Sequence, residues 1–148
     1  SRSRAKAEAE GLRVLTVAEA AAEADVIMIL TPDQVQRTVY AESIQPNLKD
    51  GDAIFFAHGF NIRFGYIDAP EGVDVILVAP KAPGHTVRRE FVAGRGIPDI
   101  IAVEQDASGS AWELAKSYAK YLTSTRTETV MGLFTDEGVE VVGASLPG

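Results

Sequence analysis

Four short and nearly uninterrupted apolar runs constrain the fold of this chain more than any other feature. They lie at residues 25–30, 53–57, 73–79 and 100–104, with amphipathic segments between them. Strands covered by helices on both faces have continuous apolar sequences, whereas strands with one wet face alternate. The pattern therefore predicts an α/β fold, with a mainly parallel sheet and helices on both faces.

The segments between the runs contain helix-start signals. Thr16 and Glu19 form a capping-box pattern that opens a helix over residues 17–23. Pro32 suits a first helical turn, and Asp33 lies near its positive end, which predicts a helix to about Tyr40. Apolar residues at helical spacing predict a further helix over residues 110–121.

Size and charge limit the class of protein. The 148 residues predict a single domain over residues 1–148. The net charge of −7 argues against a nucleic-acid partner, and the absence of cysteine excludes a thiolate zinc site. No apolar run approaches the roughly 20 residues that span a bilayer, and the N-terminal residues lack the apolar core of a signal peptide. We expect a cytoplasmic domain with no membrane partner.

Polar residues follow three of the predicted strands. Thr31, Pro32 and Asp33 follow the first, His58 follows the second, and Lys81 follows the third between two prolines. Taken singly, a histidine or lysine after a strand is as often a solvated loop residue as a functional one. Ligands of open parallel sheets bind at the carboxyl ends of the strands, so the convergence of these loops on one edge predicts a site there.

The two ends of the chain allow two interpretations. Residues 4–10 predict a helix, and residues 129–134 and 139–142 predict strands joined by a turn. One interpretation is a terminal hairpin, and the other is a circular permutation in which the C-terminal strand leads into residue 1. The joined loop would bring together Ser1, Arg2, Ser3 and Ser145, whose hydroxyls and guanidinium suit a phosphate at a helix start. Both interpretations can hold together.

Several motifs carry a resemblance to one enzyme family. They are Ala-Asp-Val-Ile-Met-Ile-Leu-Thr-Pro-Asp at 24–33, Phe-Ala-His-Gly-Phe-Asn-Ile at 56–62, Val-Ala-Pro-Lys-Ala-Pro-Gly-His at 78–85 and Ala-Val-Glu-Gln-Asp-Ala-Ser-Gly at 102–109. Together they resemble ketol-acid reductoisomerase, also called acetohydroxy-acid isomeroreductase. The resemblance runs from residue 1 to about residue 135 and covers the N-terminal NADPH-binding Rossmann domain. Residues 136–148 resemble the strand and loop that precede residue 1 in the family order, which supports the permutation.

The resemblance implies a reaction and roles for particular residues. The family isomerises acetohydroxy acids by a magnesium-dependent alkyl shift and reduces the product with NADPH, in branched-chain amino-acid synthesis. It implies that Ser1 and Ser3 lie near the 2′-phosphate of NADPH, and the joined loop would place Arg2 and Ser145 beside them. It also implies that Thr31, Pro32 and Asp33 line the cofactor and that His58 and Lys81 are catalytic.

Two parts of the family pattern do not occur in the 148 residues. They are the Gly-Tyr-Gly-Ser-Gln-Gly phosphate loop and the helical domain that supplies the magnesium ligands, so no metal ligand is predicted here. We expect an NADP(H)-binding domain that is inactive alone and binds NADPH weakly or not at all. Its protein partner would be a second copy or a complementing helical domain, because exposed apolar faces favour pairing. The alternative is a non-catalytic, permuted or engineered Rossmann-like module without cofactor binding.

Overall fold

The computed structural model describes residues 2–123, 129–135 and 138–141. Within these ranges the helices are α1 (Arg2–Ala9), α2 (Val17–Glu23), α3 (Asp33–Val39), α4 (Phe60–Arg63), α5 (Gly84–Val92) and α6 (Ala111–Thr123). A π-helical turn (Tyr40–Ile44) and a 3₁₀ turn (Gln45–Asn47) continue α3. The strands are β1 (Val26–Ile29), β2 (Ala53–Phe56), β3 (Asp74–Pro80), β4 (Asp99–Gln105), β5 (Thr129–Thr135) and β6 (Gly138–Val141).

The strands form one sheet in the order β1-β2-β3-β4-β5-β6. The pairs β1–β2, β2–β3 and β4–β5 are parallel, whereas β3–β4 and β5–β6 are antiparallel. The prediction of a mainly parallel sheet is confirmed. The reversal of β4 is a feature that the apolar pattern did not predict.

Apolar side chains cover both faces of this sheet. On one face Ile54, Phe56 and Leu77 pack with Ala21 of α2 and with Tyr40. The opposite face packs against α6, and its buried members are Ala53, Phe55, Ile76, Val78, Ile101, Ala111, Ala115 and Ala119. The prediction of helices on both faces is therefore confirmed.

The start of α2 has the capping geometry that its sequence predicts. The Thr16 hydroxyl accepts a hydrogen bond from the backbone N–H of Glu19 at 3.3 Å, and the Glu19 carboxylate accepts one from the Thr16 N–H at 2.9 Å. Hydrogen bonds from the Thr16 hydroxyl and backbone hold the pKa of Glu19 below its ordinary value. Both partners therefore satisfy N–H groups that the first helical turn would otherwise leave unpaired.

The predicted terminal hairpin is confirmed. Thr135 pairs with Gly138, and Gly132 pairs with Val141, in antiparallel register. The turn residues 136–137 and the predicted strand residue Val142 lie outside the described residues. The circular permutation stays a prediction, because Ser1 and residues 142–148 also lie outside them. Strand β6 lies at the edge of the sheet opposite β1.

Candidate functional site

The three loops with predicted site residues lie at one edge of the sheet. Strands β1, β2 and β3 are parallel, with Ile29 paired to Phe56 and Phe56 paired to Leu77. Their carboxyl ends therefore lie side by side, as the sequence predicts. The placement is confirmed, and the roles of the residues in these loops stay predictions.

His58 and Asp33 are brought into direct contact. The His58 Nδ1 lies 3.2 Å from the Asp33 Oδ2, and the two side chains are 66% and 33% exposed. The backbone N–H of Phe60 also points to Nδ1, at the longer distance of 3.4 Å. Nδ1 donates to Asp33 in one tautomer and accepts from Phe60 in the other, and in both cases Nε2 is the ring nitrogen left to face a ligand. The loops after β1 and β2 thus share one polar contact at the rim of the sheet.

A buried pair of side-chain amides connects the same two segments. The Asn61 Nδ2 donates to the Gln36 Oε1 at 2.9 Å and to the Asp33 carbonyl at 3.1 Å. The Gln36 Nε2 donates to the Thr31 carbonyl at 2.7 Å. Sequence reasoning missed both residues. The available signal was an asparagine between Phe60 and Ile62 directly after a buried strand, where a polar side chain needs a protein partner.

Thr31 presents a buried polar atom to the same rim. Its hydroxyl oxygen is buried, and no hydrogen-bond partner is found for it among the described residues. Leaving a buried hydroxyl unpaired costs about 1–3 kcal/mol, so such an atom is typical of a place that a ligand or water completes. Pro32 beside it is exposed, and Asp33 supplies a carboxylate. This loop therefore offers a ligand one hydroxyl and one carboxylate.

Lys81 lies at the same edge but apart from the other two residues. Its side chain is exposed, and its backbone N–H donates to the Pro98 carbonyl at 2.9 Å, where β3 ends and β4 begins. In the described part of the chain, no hydrogen bond or ion pair joins Lys81 to His58 or Asp33. The structure therefore places Lys81 at the rim without assembling a triad.

An open groove of about 660 Å³ adjoins the rim on the α6 face of the sheet. Its edge-side lining includes Leu30, Ala57 and Pro80, which adjoin the three loops in sequence. Its helix side includes Phe91 and Tyr118. The volume is in the range of small-molecule sites, and the lining is mainly apolar.

The residues predicted to hold a phosphate are only partly described. Ser3 is exposed on α1. Ser1, Ser145 and the side chain of Arg2 lie outside the described residues, so their grouping stays a prediction.

The described residues do not fit a resident magnesium ion. They contain no group of three or more His, Cys, Asp or Glu side chains that could hold a metal ion. Magnesium prefers several oxygen ligands in octahedral geometry. No step is therefore derived through a metal held by this part of the chain.

None of the described helices has the length and hydropathy of a membrane-spanning segment.

Comparisons with known proteins converge on one family. The sequence model of one protein family, the acetohydroxy acid isomeroreductase NADPH-binding domain, matches residues 1–128. The chain is 72% identical over 137 residues to the ketol-acid reductoisomerases (NADP(+)) of Kocuria rhizophila and Renibacterium salmoninarum. Each match covers 93% of this chain and 40% of the relative, so the chain spans about two-fifths of the length of these curated relatives.

Solved structures agree. An NADH-preferring ketol-acid reductoisomerase from an uncultured archean is 44% identical, with a TM-score of 0.84 over 88% of this chain and 40% of the other. A semialdehyde dehydrogenase NAD-binding protein from Cupriavidus necator, 18% identical with a TM-score of 0.66 over 84% of this chain and 49% of the other, shares the fold alone. With its sheet, its rim loops and its family match taken together, the chain belongs to the NADPH-binding domain family of acetohydroxy acid isomeroreductases.

Proposed function

We propose that these residues form the NADPH-binding part of a ketol-acid reductoisomerase. The reaction is the magnesium-dependent alkyl migration of an acetohydroxy acid, followed by reduction with NADPH, in branched-chain amino-acid synthesis. The observation that carries the proposal is the contact of Asp33 with His58 beside the unpaired Thr31 hydroxyl, in a chain that matches the family over residues 1–128. NADPH, when bound, supplies the hydride.

Each rim residue then has a defined task. Thr31, Pro32 and Asp33 line the cofactor, and the Thr31 hydroxyl donates to it or accepts from it. His58, held at Nδ1 by Asp33, uses Nε2 to orient a substrate oxygen or a water. Lys81 places a cation at the rim, where a fixed positive charge stabilises negative charge that develops on the substrate.

The 2′-phosphate of NADPH is assigned to the predicted joined loop of the two chain ends. Ser1, Arg2, Ser3 and Ser145 supply hydroxyls and a guanidinium, which are the groups that bind phosphate most strongly. Removing the Arg2 guanidinium should weaken NADPH binding and leave NADH binding unchanged, since NADH lacks that phosphate.

Complete turnover needs groups beyond the described residues. A complementing helical domain, in the same protein or a second chain, would supply the magnesium carboxylates. A second copy of this chain is the other partner that we propose. We place the protein in the cytoplasm, where NADPH and the acetohydroxy acids are available.

The first experiment measures cofactor affinity. NADPH and NADH are titrated against the wild-type chain, Arg2→Gln and the control Lys6→Gln, which removes one charge from the same helix. We expect NADPH to bind weakly, because the phosphate loop is not among these residues, but more tightly than NADH. Arg2→Gln should weaken NADPH alone by about tenfold, or roughly 1.4 kcal/mol. No NADPH binding at millimolar concentration, in a chain that unfolds cooperatively, would instead support the non-catalytic module.

The second experiment measures turnover in the presence of the helical domain and magnesium. We expect His58→Gln and Lys81→Ala to lower kcat at least tenfold, because each removes a group that acts on the reacting atoms. His85→Gln and Lys120→Ala remove the same residue types elsewhere and should leave kcat unchanged. Full activity in His58→Gln or Lys81→Ala would refute the assigned role of that residue.

A further inference from the structure

Two side-chain amides are buried where the loops of the candidate site meet. Asn61 is 3% exposed and Gln36 is 4% exposed, and both belong to the small set of buried polar residues in the described chain. Burying a polar side chain is unfavourable unless it is hydrogen-bonded. The two amides satisfy this requirement through each other and through backbone carbonyls.

The bonds made by these amides join separate segments. Gln36 lies on α3 and reaches back to the Thr31 carbonyl at 2.7 Å. Asn61 lies in the first turn of α4, three residues after His58, and reaches the Gln36 Oε1 at 2.9 Å and the Asp33 carbonyl at 3.1 Å. Two hydrogen bonds donated by Asn61 therefore connect the segment after β2 to the segment after β1. The bond from Gln36 to the Thr31 carbonyl holds the loop after β1 against its own helix.

We propose that Gln36 and Asn61 are positioning residues that hold the Thr31–Asp33 loop against the His58 loop. The contact between His58 and Asp33 does little by itself to hold the two loops together, because the imidazole is 66% exposed. Exposed contacts of this kind contribute little to stability. The buried amide bridge binds the Asp33 carbonyl itself and so sets the separation of the two backbones. Neither amide contacts the reacting atoms, and their effect is exerted through His58 and the Thr31 hydroxyl.

The expected effect on NADPH affinity rests on the proposed function, whereas the NMR test without ligand does not. If the bridge holds the loops in register, its loss lets His58 and Asp33 separate whether or not a cofactor binds. The consequence for function is lower NADPH affinity, because the cofactor must then order loops that the wild-type chain presents in place.

The test compares three variants by NMR on the ¹⁵N,¹³C-labelled chain without ligand. Gln36→Met keeps the side-chain volume and removes both of its hydrogen bonds, and Asn61→Ala removes the other amide. Asn47→Ala is the matched control, because Asn47 donates one part-buried bond at 2.9 Å, to the Ser43 carbonyl, away from the site. The chain contains two histidines, so His85 serves as an internal reference for His58.

We expect the His58 ring resonances to move toward those of a solvent-exposed histidine in Gln36→Met and in Asn61→Ala. The double variant should move them no further than either single variant, because the two amides act as one unit. His85 should not move in any variant, and Asn47→Ala should leave both histidines unchanged. NADPH affinity should fall about tenfold in the two bridge variants and stay within twofold in Asn47→Ala.

Unchanged His58 resonances in folded Gln36→Met would overturn the proposal, as would an equal change in Asn47→Ala. Should both bridge variants fail to fold, the wild-type chain decides: the Asn61 side-chain NH₂ must exchange slowly with water, and rapid exchange overturns the bridge. Absence of NADPH binding in the wild-type chain would refute the proposed function and leave the NMR result on the bridge standing.

Discussion

Glu90 shows at the scale of a single residue how charge stabilises a helix end in this domain. Its carboxylate accepts hydrogen bonds from Arg95 at 2.5 Å and from Arg89 at 3.0 Å, near the C-terminus of α5. Those two bonds, Arg95 first, lower the pKa of Glu90 from 4.5 to about 2. The helix ends at Val92, and Gly94, two residues further on, has a φ of +69° that suits glycine.

The depressed pKa gives a pH-dependent contribution to stability. A carboxyl whose pKa is lower in the folded state stabilises that state fully above its unfolded pKa, and the contribution is lost as pH falls through the folded pKa. We therefore expect Glu90→Gln to lower Tm at pH 7, by an amount that shrinks below pH 4.5 and vanishes below pH 2. Thermal unfolding at several pH values measures this.

Glu113→Gln is the matched control, because Glu113 is 78% exposed and pairs with Lys116 on the same helix. Exposed pairs of this kind contribute little, so its effect on Tm should be smaller. A pH-independent difference between Glu90→Gln and the wild type would contradict the role of the two arginines.

At the residue scale, the candidate site divides into a part that sequence could reveal and a part that it could not. Asp33, His58 and Lys81 follow strands whose carboxyl ends must lie together in a parallel sheet, so topology alone predicts their neighbourhood. The Gln36–Asn61 bond joins residues 25 positions apart. No sequence periodicity relates α3 to α4, because their packing depends on how both cross the same face of the sheet.

At the scale of an element, α2 is a helix whose start could be predicted from its sequence. The capping box at Thr16 and Glu19 satisfies two backbone donors by local contacts three residues apart, which requires no knowledge of the rest of the fold. The predicted bounds of 17–23 match the observed helix for that reason.

We expect Thr16→Ala to destabilise the domain by about 1 kcal/mol, because it removes the cap acceptor and the partner of Glu19. Thr38→Ala is the control, since Thr38 is exposed within α3 and alanine is the better helix former there. Urea unfolding of both variants measures the difference in free energy of unfolding. Equal values for the two variants would show that the box contributes nothing to the folded state.

The direction of β4 is the element-scale feature that the sequence did not reveal. Its first four residues are all buried, like those of β2 and β3, so its apolar pattern is that of a strand covered on both faces whichever way it runs. The direction is set where the chain returns after α5. The Lys81–Pro98 hydrogen bond shows that β4 starts at the edge where β3 ends, so the two strands must be antiparallel.

At the scale of the whole molecule, exposed apolar surface lies beside the candidate site. Tyr121 is 78% exposed and Leu30 is 69% exposed, and both line the groove next to the sheet edge. In the described part of the sheet, β1 pairs on one side only, with β2. An open strand edge and adjacent apolar side chains are surfaces that favour pairing with another chain.

We therefore expect the isolated chain to self-associate through the groove, in a concentration-dependent manner that sedimentation velocity can measure. Tyr121→Ser should shift the equilibrium toward the monomer, because it removes the most exposed aromatic ring of the groove. Leu12→Ser is the matched control, since Leu12 is 63% exposed but does not line the groove.

If the groove normally contacts the complementing helical domain, adding that domain should also dissociate the self-associated species. A wild-type chain that stays monomeric up to high micromolar concentration would contradict the use of this surface, and equal effects of the two variants would place the contact elsewhere.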